Sequence, residues 1–154
     1  MPLIKESGIK FTVDDLCRSA GISKKTFYVL FPSKGDFAKK IYEVAFDGFD
    51  EALKSPMGEA YWARLFSSYM DLLMLTDERT FNLYSLSSKV RGHAEKEMGK
   101  RKALFSDALA GGPFPKADGH PSFAFMVESV LHEASRMERR EAIIRDFASY
   151  LTEE

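Results

Sequence analysis

Apolar side chains recur along this chain at three- and four-residue intervals almost from end to end, the period of helices that bury one face. Two short segments come first. Val13, Leu16, Cys17 and Ala20 form the packed face of a helix that opens at Thr12 and ends at Gly21. The Thr12 hydroxyl caps its free backbone donors, and Asp14 and Asp15 lie in the first turn, where the helix dipole favours negative charge. Ile22 follows as a buried turn residue. Ser23 caps a second helix from Lys24 to Leu30, and Phe27, Leu30 and Phe31 supply its packed face. Small Cys17 and Ala20 permit close approach of the pair.

Longer periodic segments follow. Ser33 caps a helix from Lys34 to Lys54 in which Phe37, Ile41, Val44, Ala45 and Ala52 recur and Phe46, Phe49 and Leu53 widen the stripe, until Ser55-Pro56 ends it. Glu59 to Leu75 carries Tyr61, Trp62, Leu65, Phe66, Tyr69, Met70, Leu72, Leu73 and Met74, apolar on too many sides for a surface helix. Thr80 to Leu109 continues helically with a break expected near Asp77 or Gly92, and its charged middle, Lys89 to Lys102, reads as a solvated face. Gly111 to Pro121, GGPFPKADGHP, is the clear breaker segment and is expected to be a mobile loop. Ser122 caps a helix bearing Phe123, Met126, Val127, Val130, Leu131 and Ala134, and Glu138 to Leu151 forms the last, with Ala142, Ile143, Phe147, Tyr150 and Leu151. The expected fold class is all-α, with a helix-turn-helix unit over 1–54, including its long connecting helix, and a helical body over 55–154.

Composition narrows the function. The chain has 154 residues, 45% of them hydrophobic, and a mean hydropathy of −0.25, enough to bury a core without membrane character. No apolar run reaches the roughly 18 residues a membrane span needs. Net charge is only −1, but it is unevenly placed. Residues 1–40 hold eight basic against four acidic side chains and the remainder fourteen against nineteen, leaving +4 and −5, as a basic reader on an acidic body would. The lone cysteine, Cys17, excludes an internal disulfide and a multi-cysteine zinc site, makes a reducing cytoplasm the expected compartment, and reads as a small buried hydrophobe. Catalytic signatures are missing: there is no HExxH, GxSxG or glycine-rich phosphate loop, and Arg136 stands where His132-Glu133 would need a second histidine. Neither an enzyme nor a cofactor or metal is expected.

Two short helices joined by a tight turn cross steeply, so that one lies over the DNA backbone while the N-terminal end of the other enters the major groove. The words T-V-D-D-L, A-G-I-S-K-K-T-F-Y and F-P-S-K-G-D-F, in this order and spacing, resemble the DNA-binding segment of the TetR family of bacterial transcriptional regulators. The resemblance covers roughly the first third of the chain. It implies that Thr12, Tyr28 and Lys34 touch phosphates and that Lys24, Lys25 and Thr26 face the groove, where base contacts carry the sequence information. It further implies that the Lys34–Lys54 helix links reader to effector domain, and that the last two helices, about 122–151, pair with a second copy in a homodimer. Two departures stand out. Met1 to Ser7 replace the family's full opening helix, with Leu3 and Ile4 as the remnant of its apolar stripe and Gly8 where the family closes it, and Leu30 takes a position where the family more often has His or Tyr.

Trp62, Phe66, Tyr69, Met70, Phe81, Tyr84, Phe105 and Met126 suit a cavity for a small apolar or aromatic effector, with Asn82, Tyr84, His93 and His132 as candidate polar anchors. The same residues suit a solid core equally well. The expected function is a ligand-responsive TetR-type repressor that binds a palindromic operator as a dimer and is released by its effector. The alternative is a helical ligand-binding or interaction dimer whose grip on DNA is impaired by the shortened opening helix.

Overall fold

The computed structural model describes residues 12–58, 60–76, 87–115 and 120–153. Among these the chain forms seven helices and no strand: α1 Val13–Ala20, α2 Lys24–Leu30, α3 Lys34–Lys54, α4 Tyr61–Thr76, α5 Ser88–Ala110, α6 Phe123–Ala134 and α7 Arg140–Thr152. The opening segment with Leu3, Ile4 and Gly8, the break expected at Asp77, and Phe81, Asn82 and Tyr84 lie outside the described residues.

Two apolar cores form, and α3 serves both. The smaller holds Leu16, Cys17, Phe27 and Phe37, with Val13, Ile22, Phe31 and Ile41 packed against it. The larger begins one residue after Phe37, at Ala38, and takes Tyr42, Phe46 and Phe49 from the rest of α3. Its centre is α4, which packs against α3, α6 and α7 at once and buries residues on nearly every side, from Tyr61 and Trp62 to Leu75. That all-round apolar character is what a helix at the centre of a bundle requires. Two tyrosines tie α3 to α4 by their hydroxyls: Tyr42 donates to the Leu75 carbonyl at 3.3 Å and Tyr61 to the Leu53 carbonyl at 3.2 Å, the latter occupying an acceptor in the last turn of α3.

Several expectations change in the folded chain. Ala20, Leu30 and Val44 are exposed, because Phe27, Phe31 and Phe37 fill the small core and α3 turns Tyr42 and Phe46, not Val44, into the large one. Gly92 does not break α5, whose backbone hydrogen bonds run through it; one internal glycine costs only about 1 kcal/mol against alanine. The α5 charge run is not wholly solvated, since Ala94 and Arg101 are buried. Ser122 makes no side-chain cap to α6. Within the breaker segment Phe114 is buried and packs edge-on against Trp62 with ring centroids 4.5 Å apart, so this end of the segment is pinned to the core.

Candidate nucleic-acid interface

The helix-turn-helix unit is built from local hydrogen bonds. At the start of α1, Thr12 and Asp15 form a capping box: the Asp15 N–H donates to Thr12 Oγ1 at 3.2 Å, and the Thr12 N–H donates to Asp15 Oδ2 at 2.8 Å. The Thr12 hydroxyl also donates its proton to Asp15 Oδ2, at 2.8 Å. These bonds hold the Asp15 carboxyl below its ordinary pKa and engage the one proton of the Thr12 hydroxyl. Gly21 closes the helix in the left-handed region at φ 66°, where its own N–H and that of Ile22, the latter at 3.0 Å, both reach the Cys17 carbonyl. That reversal ends α1 and turns the chain toward Ser23, where α2 begins.

At the start of α2, Ser23 Oγ accepts the Thr26 N–H at 3.1 Å and lies 3.0 Å from the Thr26 hydroxyl. Phe27 is the single buried residue of this helix. Every other α2 side chain faces solvent, so Lys24, Lys25, Thr26 and Tyr28 are all accessible, as Thr12 is. Lys24 has a partner already: its Nζ lies 2.8 Å from Asp14 Oδ1, and this carboxylate raises its pKa. Lys25 belongs to no ion pair recorded among the described residues. Val29, one turn beyond Lys25 and 76% exposed, is a candidate contact that the sequence reading missed. Its signal was there, a β-branched apolar residue off the Phe27 face, and such a side chain suits the methyl group of thymine.

Lys34, also exposed, occupies the first position of α3. Ser33 Oγ accepts the Asp36 N–H at 3.1 Å and donates to Asp36 Oδ2 at 2.7 Å, which sets the direction of this helix end. Beneath these groups the rings of Phe27, Phe31 and Phe37 pack pairwise at 5.2 to 5.7 Å. Aromatic packing of this kind ties α2 to the start of α3.

The second set of expected site residues lies in the body. Phe66, Tyr69, Met70 and Phe105 are fully buried and Trp62 nearly so. Tyr69 stacks on Phe105 at 3.8 Å, Phe66 meets Trp62 at 5.9 Å and Phe105 at 6.0 Å, and Phe49 of α3 reaches Tyr69 at 5.9 Å. Burial pushes the Tyr69 hydroxyl above its ordinary range. Met126 does not join this cluster and stands exposed beside Phe125 on α6. His93 is exposed, and the half-buried His132 sits in an open surface groove with Lys102, Glu128 and Glu133. Among the described residues no group of His, Cys, Asp and Glu is disposed to hold a metal ion, and no helix is long and apolar enough to cross a membrane.

Residues 1–41 match the family of bacterial regulatory proteins, tetR family. Over 98% of its length the chain is similar in fold to the crystal structure of a TetR family transcriptional regulator, PfmR from Thermus thermophilus, at 20% identity and a TM-score of 0.61, with 93% of that chain covered. No curated protein matches the chain.

Proposed function

We propose that this chain, whose residues 1–41 match the tetR family of bacterial regulatory proteins, is a TetR-type transcriptional regulator that works as a ligand-responsive repressor and grips a palindromic operator as a homodimer. It acts by binding and without chemistry, in the cytoplasm. The observation that carries this reading is the solvent-facing set Lys25, Thr26, Tyr28, Val29 and Lys34, spread over α2 and the first turn of α3 and braced from beneath by buried Phe27 and Phe37. In this reading Thr12, Tyr28 and Lys34 take phosphates, while Lys24, Lys25 and Thr26 meet the groove. Dimerisation is supported by the exposed apolar side chains of the last two helices and their connection, Phe125, Met126, Met137 and Tyr150.

The effector half of the proposal uses the rings of Trp62, Phe66, Tyr69, Met70 and Phe105. They stand directly behind Phe49 of α3, so an apolar or aromatic molecule that parts them shifts the helix carrying the reader. Selection of bound sequences from a random DNA pool tests the DNA half. The expected result is a palindrome whose half-sites are centred about 34 to 36 Å apart, with log K falling by roughly 0.9 per phosphate neutralised as log salt rises. Weak binding that is uniform over sequence overturns it and favours a helical interaction dimer.

A further inference from the structure

Arg101 is the charged side chain buried among the described residues, 9% exposed, and it lies in the body, not the reader. Its guanidinium sits where α5 crosses α3. Nη2 donates to Asp50 Oδ2 at 2.7 Å, while Nη1 donates to Glu97 Oε2 at 2.9 Å and to the Glu97 main-chain carbonyl at 3.0 Å. The guanidinium carbon lies 4.4 Å from the centre of the Phe46 ring, and Nε is buried with no hydrogen-bond partner. Cohesion alone does not explain this choice. Apolar side chains hold a helix crossing at no desolvation cost, and a buried donor left over adds to that cost.

What a guanidinium supplies is direction. Its planar fork accepts partners only in fixed orientations, where an apolar contact slides. Phe46 and Asp50 stand one turn apart on α3, and Glu97 and Arg101 one turn apart on α5, so this one group sets both the rotation and the slide of α3 against the body. The far end of α3 carries Phe37, against which Phe27 and Phe31 pack, so a change in the direction of α3 is carried to α2. From Asp50 to Lys34 the helix is about 24 Å long, and a tilt of about 10° at the clamp displaces Lys34 by about 4 Å, more than one base-pair step.

We propose that Arg101 is a positioning residue for DNA recognition: clamped between Asp50 and Glu97, it sets the angle at which α3 presents α2, and thereby the half-site spacing a dimer accepts. This rests on the DNA-binding dimer proposed above, and the test separates the two. Spin labels at Val29→Cys and Leu104→Cys, both exposed positions, in a Cys17→Ala background report the reader-to-body distance without DNA. With the doubly labelled chain diluted into an excess of unlabelled chain, so that only pairs within one protomer contribute, the parent gives one narrow distance. Asp50→Asn and Arg101→Met shift or broaden it by about 4 Å on the same lever, with Arg101→Lys in between.

On the selected operator, with its central spacer changed by one base pair either way, the natural protein prefers its own spacing by about tenfold. The variants flatten that preference below about threefold while keeping the salt slope, because no phosphate contact is removed. Circular dichroism and melting show which variants are folded; if Arg101→Met is not, Asp50→Asn carries the test. An unchanged distance in a folded variant overturns the clamp whatever DNA does. A shifted distance with an unchanged spacing profile overturns its link to recognition. Should the natural protein select no operator, the repressor reading fails, and with it the spacing role assigned to Arg101, while the distance measurement still decides the clamp.

Discussion

Replacing Phe27 with alanine should unfold the reader without unfolding the body. Phe27 is 2% exposed and meets the rings of Tyr28, Phe31 and Phe37 at 5.4, 5.5 and 5.7 Å. A buried phenylalanine cut to alanine costs about 3 to 5 kcal/mol in transfer and cavity terms. The small core has Leu16, Cys17 and Phe37 as its other buried members and no reserve to absorb that loss, whereas the large core draws on α3, α4, α5, α6 and α7. Hydrogen exchange reads the outcome segment by segment. Protection over α1 and α2 should fall by about two to four orders of magnitude, the equivalent of that free energy, while amides of α4 keep theirs. The boundary should fall near Ile41, the residue that packs against both cores. Equal loss of protection in α4 would refute the reasoning, because it would mean that the continuous α3 makes the two cores one cooperative unit.

Gly112→Ala tests the pinned end of the breaker segment, since a Cβ there meets the Phe114 ring and comes within 2.7 Å of the Trp62 ring. Overpacking of this kind costs about 1 to 3 kcal/mol, and with Trp62 the single tryptophan, its emission should shift to the red as Phe114 leaves; unchanged emission with unchanged stability would show that the segment yields freely. Glu97 is held down to about 2 by hydrogen bonds from Lys100 and then Arg101, against an ordinary value of 4.5. A depressed carboxylate contributes stability that is full above its unfolded pKa and lost as pH falls through the folded one, so urea melts between pH 7 and 2 should show Glu97→Gln flattening the fall below about pH 4.5. Asp14→Asn removes the carboxylate 2.8 Å from Lys24 Nζ and frees that ammonium for the groove, so fluorescence anisotropy should show tighter DNA binding, with a larger gain on the selected operator than on random sequence. An equal change on both sequences would mean that Lys24 does not reach base edges.

What could be read directly from the chain was whatever depends on neighbours a few residues away. The caps of α1, α2 and α3 pair Thr12 with Asp15, Ser23 with Thr26 and Ser33 with Asp36, each at a separation of three, and Gly21 provides the left-handed stop. Hence the bounds of α3, from Lys34 to Lys54, coincide with the expectation from Ser33 and Ser55-Pro56. Burial is a different matter. Leu30 and Val44 look like core residues by spacing, yet are exposed because the angle between helices, not the period within one, selects which part of a broad stripe is covered. Arg101 looks like one more cation in a charge run, and its partner Asp50 stands 51 positions away. The same holds for Lys24, whose exposure was foreseen and whose pairing with Asp14 across the turn was not.

The placement of Arg101 also bears on how a ligand would release DNA under the proposed mechanism. To take an operator-bound population from 99:1 to 1:99, an effector must prefer the released geometry by about 10⁴-fold, or about 5.5 kcal/mol. Tight binding to both geometries achieves nothing. Parting the rings behind Phe49 acts on α3 at 5.9 Å from Tyr69, one residue from Asp50 and thus beside the Arg101 clamp. A molecule seated there works against an oriented ion pair that resists small tilts and is lost once the guanidinium leaves the carboxylate plane. Such a contact holds α3 in one preferred direction until it breaks. Weakening the clamp should therefore lower the effector concentration needed for release and blunt the difference between the bound and released states, two effects that a simple loss of DNA affinity does not produce together.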